Sequence, residues 1–177
     1  MKSFKQFLTE DKDDVEVYHY SSHKFDSFDS SKLKDGNDQK GPGLYTSTKH
    51  ETNYGSNLHR IQLNTKKFIK PGQKINSKII TKMIDKSPHK DDAFSNWDEN
   101  PRKGRDALIH NIVHHSDDMH EAMEKVWYDG YNADNHSFIE NAKEHFHGTK
   151  VKPAGQGVEH HHYLIWNKDA IKSIKHE

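Results

Sequence analysis

The sequence predicts an α+β domain, and a change of hydrophobic period along the chain carries that expectation. Residues 1 to 70 hold short alternating apolar and aromatic runs punctuated by glycine and proline, whereas Ile75 to Phe146 turns to helical spacing. A last alternating run, His160 to Trp166, then closes the chain. Strands, inserted helices and a closing strand, in that order, indicate α+β. At 177 residues one domain is expected. Hydrophobic residues make up 31% and charged residues 31%, with a mean hydropathy of -1.15, so the core should be thin.

Val15 to Tyr20 alternates and reads as the first strand, followed by a polar turn and the pair Phe25 and Phe28. Gly41, Pro42 and Gly43 lead into Leu44 and Tyr45. His59 to Leu63 sets Ile61 and Leu63 against Arg60 and Gln62, a strand that continues through Phe68 and Ile69 to a Pro71–Gly72 turn. Ile75, Ile79, Ile80, Met83 and Ile84 predict a helix stopped by Ser87–Pro88. Asp91 to Lys103 reads as a loop. A longer helix is expected from Arg105 through Leu108, Ile112, Met119, Met123 and Val126 to Gly130, with an interruption near Ser116. Phe138 to Phe146 forms a short third helix ending at Gly148, so the helical insertion spans about 75–148 of a domain covering 15–177. A turn after the closing strand leads to Ile171 and Ile174.

Composition removes several classes of function. Lys plus Arg equals Asp plus Glu at 27 each, which leaves no global field for a nucleic acid or an anionic membrane. The chain has no cysteine, which excludes disulfides, thiolate nucleophiles and cysteine zinc sites. No apolar stretch approaches the ~20 residues of a membrane span, and no secretion signal is evident at the N-terminus. A soluble monomer is expected.

The histidines, 16 in all, suggest one chemistry. His110 and His114 stand one helical turn apart, followed by His115 and His120, and His145, His147, His160, His161 and His162 gather near the end. A histidine pair at i and i+4 binds zinc when a third ligand is supplied. No Glu lies between this pair, the intervening residues being Asn111, Ile112 and Val113, so solvated histidines are the simpler reading and metal chemistry ranks second.

Three segments suggest another: Val17-Tyr18-His19-Tyr20-Ser21-Ser22 on a strand, Gly41-Pro42-Gly43-Leu44-Tyr45-Thr46-Ser47 after a loop, and Asn53-Tyr54-Gly55 beyond it. Glycines let backbone approach a ligand, aromatic faces stack on a flat heterocycle, and a neutral imidazole bonds a hydroxyl in either sense. Any one of these residues alone would be read as the edge of a core. In order and spacing they resemble the ADP-ribosyltransferase superfamily in its His-Tyr-Glu branch. Tyr163-Leu164-Ile165-Trp166-Asn167-Lys168-Asp169-Ala170-Ile171 is similar to that family's closing strand and turn.

The resemblance implies a split β-sheet holding NAD as substrate, with no metal required. His19 would bind a ribose hydroxyl, Tyr45 and Tyr54 would flank the nicotinamide, and Ser21, Gly43 and Ser47 would line the pocket. The chain departs from the family at two positions. Tyr20 stands where the family often has glycine, and His162 stands where its catalytic Glu precedes the closing Tyr. A neutral imidazole does not supply a carboxylate's charge at the reacting carbon. Glu159 is the nearest acid, but strand alternation puts Glu159, His161 and Tyr163 on one face and His160 and His162 on the other. A bulge would bring Glu159 in. Glu159 is the provisional catalytic residue, with His162 and Glu51 as alternatives.

Phe4, Phe7 and Leu8 lie at helical spacing in residues 1–10, before an acidic linker at 11–14. This is either an amphipathic tag or a frayed first helix of the domain. It resembles the capsid-targeting peptides of internal head proteins of tailed phages, which a prohead protease cuts after Leu-x-Glu, here Leu8-Thr9-Glu10. That resemblance implies contact with a capsid scaffold, packaging inside the phage head and delivery to the bacterial host cytoplasm. The implied activity is mono-ADP-ribosylation of a host protein or nucleic acid. The alternatives are an internal virion protein that binds NAD or accompanies DNA without catalysis, and a histidine-based metal-binding protein.

Overall fold

The computed structural model describes residues 13–32, 42–50, 55–151 and 161–177. Its strands are β1 (Asp14–Ser21), β2 (Leu44–Ser47), β3 (Asn57–Asn64), β4 (Phe68–Ile69), β5 (Gly148–Val151), β6 (His162–Ile165) and β7 (Ile171–His176). Between β4 and β5 run α1 (Ser77–Lys86), α2 (Lys90–Ser95), α3 (Pro101–His114), α4 (Met119–Lys125), a π turn at Val126–Gly130, and α5 (Asn135–Ala142). The architecture is α+β, as expected. The strands form one sheet in the order β4-β5-β6-β2-β1-β3-β7, antiparallel except at β4–β5.

The two faces of the sheet bury different residues, as a two-residue side-chain period requires. Val17, Leu44, Ile61, Leu63, Phe68, Tyr163 and Ile165 make one core, against which Phe25 and Phe28 pack. On the other face Ile69 and Trp166 join the helical core built from Ile80, Met83, Ile84, Leu108, Ile112, Met123 and Phe138. The β1 and β3 residues of that second face, Glu16, Tyr18, Tyr20, Arg60 and Gln62, are half-buried.

The helices differ from expectation mainly at their ends, where capping side chains rather than apolar period set the limits. Asn76 accepts from the Lys78 and Ile79 amides and starts α1, and Ser87 ends it. Residues 91–103, read as a loop, contain α2 and the first turn of α3. Six residues are too short for a visible period, yet Ala93 and Phe94 are buried. Pro101, inside the stretch read as a loop, lies in the first turn of α3 behind the Asn100 cap, where a missing N–H costs nothing. The interruption expected near Ser116 falls between α3 and α4, and Asp118 caps α4. Asp134 caps α5, whose first residue, Asn135, lies three residues before the predicted start at Phe138. Gly148, expected to end a helix, instead opens β5, and Ile171 and Ile174 lie on a strand along β3.

Candidate functional site

The sheet narrows between β1 and β2. β1 runs in full register with β3 from Asp14↔Asn64 to Ser21↔Asn57, but among the described residues it meets β2 at a single register pair, Tyr18 with Ser47. Beyond that pair a side chain replaces the ladder: His19 Nδ1 lies 2.7 Å from the Tyr45 carbonyl. A carbonyl only accepts, so Nδ1 carries the proton and Nε2 presents a lone pair. Burial holds the His19 imidazole below its ordinary pKa, which keeps it neutral near pH 7.

β2 and β6 pair Tyr45 with Leu164 and Ser47 with His162, so these four side chains share the helix-side face. The Tyr45 and His162 rings are 4.9 Å apart between centroids, and His162 is buried. Ser47 is buried too, and its hydroxyl accepts from the Lys49 amide. His19 projects from the opposite face, with Val17, and is joined to Tyr45 through the Tyr45 backbone. Tyr20, the residue that departs from the family pattern, turns away from His19 and shares a 3.1 Å hydrogen bond with His50 Nδ1.

His19 is held from behind by a group that the motif reading passed over. His59, opposite it on β3, is fully buried. Its Nδ1 lies 3.3 Å from the His19 carbonyl, and its Nε2 accepts from the Phe25 amide at 3.3 Å. One partner only accepts and the other only donates, so His59 is locked as the neutral Nδ1–H tautomer. Phe25 stacks on His59 at 4.2 Å, and His176, 2.8 Å from Asp26, meets it edge-on at 5.0 Å. Burial lowers the His59 pKa. The signal was present in the sequence, because His59 keeps the alternation of Ile61 and Leu63 and so belongs to their buried face.

Two glycines of the motif segments have φ values that disfavour other residues. Gly43, at φ 142°, brings its backbone against the closing strand: a Cβ there would stand 3.1 Å from the Ile165 carbonyl and 3.2 Å from the Trp166 ring. Trp166 is fixed in turn by its indole N–H, which donates to the Pro42 carbonyl at 2.8 Å. Gly55, at φ 146°, lies against the end of β1, where a Cβ would come within 2.4 Å of the Ser21 carbonyl carbon. The Ser21 hydroxyl donates to the His23 carbonyl.

Tyr54, Glu159, Glu51, His160 and the segment 1–10 lie outside the described residues. The described site therefore brings together Tyr45, Ser47 and His162 on one face, with His19 at the seam and Gly43 and Ser21 at the adjoining strand ends. The histidine groups are dispersed: the His110 and His114 rings lie tilted at 4.2 Å on the exposed side of α3, while His120 bonds the Thr149 hydroxyl at 3.0 Å. Among the described residues no group of three or more His, Asp or Glu side chains is placed to hold a metal ion, and no helix is long and apolar enough to cross a membrane.

No family model and no curated protein matches the chain. A solved structure described as the crystal structure of an anti-CRISPR protein is similar over 93% of this chain and 96% of that one, at 10% identity and a TM-score of 0.38. A likeness at that level bears on neither the fold nor the function of this chain.

Proposed function

We propose that the chain is a mono-ADP-ribosyltransferase with an ADP-ribosyltransferase-like split sheet, acting on a host macromolecule with NAD as its substrate. The observation that carries this reading is the seam itself: the β1–β2 ladder stops after one pair, and a neutral His19 bonds the backbone of Tyr45, whose ring adjoins His162. The ligand is assigned to this seam, and His19 Nε2 is the atom to accept from a ribose hydroxyl. Tyr45 and Tyr54 would flank the nicotinamide. In the reaction the bond from ribose C1 to the nicotinamide nitrogen breaks, and its electron pair neutralises the pyridinium. The leaving group needs no acid. An acceptor nucleophile then bonds to C1 and gives up its proton. Glu159 is assigned the carboxylate that stabilises the cationic sugar, and His162, beside Tyr45, an orienting hydrogen bond.

The place of His162 also favours a second reading, NAD binding without turnover, because the position before the closing Tyr holds no carboxylate. Nicotinamide release by the full chain, measured with and without bacterial extract, separates the two. Release that requires extract and disappears in Glu159→Gln supports transfer and its carboxylate. NAD binding without release supports the second reading. Neither binding nor release refutes both. The phage assignment has its own test: mass spectrometry of the protein from particles should find it starting at Asp11, and an intact Met1 refutes processing.

A further inference from the structure

We infer that His59 is a positioning residue of the proposed NAD site, holding the His19 backbone and the Phe25 segment in the arrangement that aims the His19 ring at the seam. The inference rests on the NAD reading above. His59 approaches no reacting atom: it lies beside β1 on β3, fully buried, and acts through its two ring nitrogens. Nδ1 donates to the carbonyl of His19, while Nε2 takes the amide of Phe25, whose ring stacks on His59 and meets His19 edge-on at 5.5 Å. His19 is thus tied at its carbonyl by His59 and at its ring by the Tyr45 carbonyl. An imidazole so bonded orients its neighbour only in one protonation state. A proton on Nε2 would replace an acceptor with a donor facing the Phe25 N–H, and the segment would be pushed from the sheet.

The groups facing His59 fit this role. His19 on β1 and His176 on β7 face it, with Lys24 nearby in the segment after β1, where Asp26 engages His176 rather than His59. Among the described residues no carboxylate bonds the His59 ring to hold a proton on it, and the neighbouring Lys24 and His176 oppose a positive charge there. Loss of the arrangement is therefore expected as pH falls below the ordinary histidine range, and His59→Gln should escape it, because an amide offers a donor and an acceptor that do not titrate there.

The test is NAD affinity of the full chain, measured by calorimetry at pH 7.5 and pH 5.5 for wild type, His59→Gln and His59→Phe. At pH 7.5 the Gln variant should bind within about threefold of wild type, and the Phe variant about tenfold more weakly, the worth of roughly one net hydrogen bond. Wild type should lose more affinity between the two pH values than His59→Gln, whose remaining loss reports His19. Equal losses, or a folded Phe variant with wild-type affinity, would overturn the positioning role and leave the NAD reading standing. If His59→Phe does not fold, the Gln comparison decides. A wild-type protein that binds no NAD at pH 7.5 overturns the NAD reading and this inference with it.

Discussion

Gly55→Ala should be among the most damaging single-methyl changes near the site. The added Cβ would lie 2.4 Å from the Ser21 carbonyl carbon, 2.5 Å from its oxygen and 2.8 Å from its Cα, separations that real Cβ atoms essentially never show. The obstacle is backbone, and β1 cannot retreat without breaking its register with β3. Overpacking of this kind costs about 1–3 kcal/mol. The φ of 146° adds strain of about 1–3 kcal/mol for a residue with a Cβ. A stiffer unfolded chain returns about 0.4–1 kcal/mol. The net loss is about 1–6 kcal/mol, a large part of the roughly 5–15 kcal/mol typical of a domain. Urea unfolding followed by circular dichroism measures it. Gly72→Ala is the control: its φ of 74° disfavours Ala, but nothing lies within 4 Å of the added carbon, so it should lose only about 1–2 kcal/mol. Equal losses in the two variants, or a loss below about 1 kcal/mol at Gly55, would refute the steric argument.

Acid should destabilise the fold before the carboxylates titrate. Burial lowers the pKa of His19, His59, His145 and His147. The unfolded chain then binds more protons than the folded one once pH falls below about 6.5. Their stabilisation is complete above that value and declines beneath it, by at most about 1.4 kcal/mol per group per pH unit; urea midpoints at pH 7.5, 6.5 and 5.5 should fall, and a rise would contradict the assignment. Phe138→Ala should cost about 3–5 kcal/mol in the same assay, because the ring is fully buried and packs edge-on against Tyr131 and Trp166. Asp118→Ala should cost about 1–2 kcal/mol: its carboxylate accepts from the His120 and Glu121 amides and also holds the Gly72 amide at 2.8 Å. A neutral result would mean that water replaces the cap.

By itself the sequence determined the α+β class, the positions of β1 and β3, the helical stretch between β4 and β5, and the break near Ser116, because each rests on a local period or a local stop. Ile61 and Leu63 were legible as one face of a strand for the same reason. Short elements were not. α2 has too few residues to show a period, and the stretch around Pro101 reads as a loop until the Asn100 cap shows it opening a helix. The candidate site divides in the same way. His19, Tyr45 and the glycines were legible as a motif, yet only the tertiary structure decided that the Tyr45 ring meets His162, that Tyr20 faces His50, and that His59 braces His19 from β3. Those contacts join residues 30 to 117 positions apart, and they depend on where the β1–β2 ladder stops. Strand register and sheet order set that point, and no local spacing encodes them.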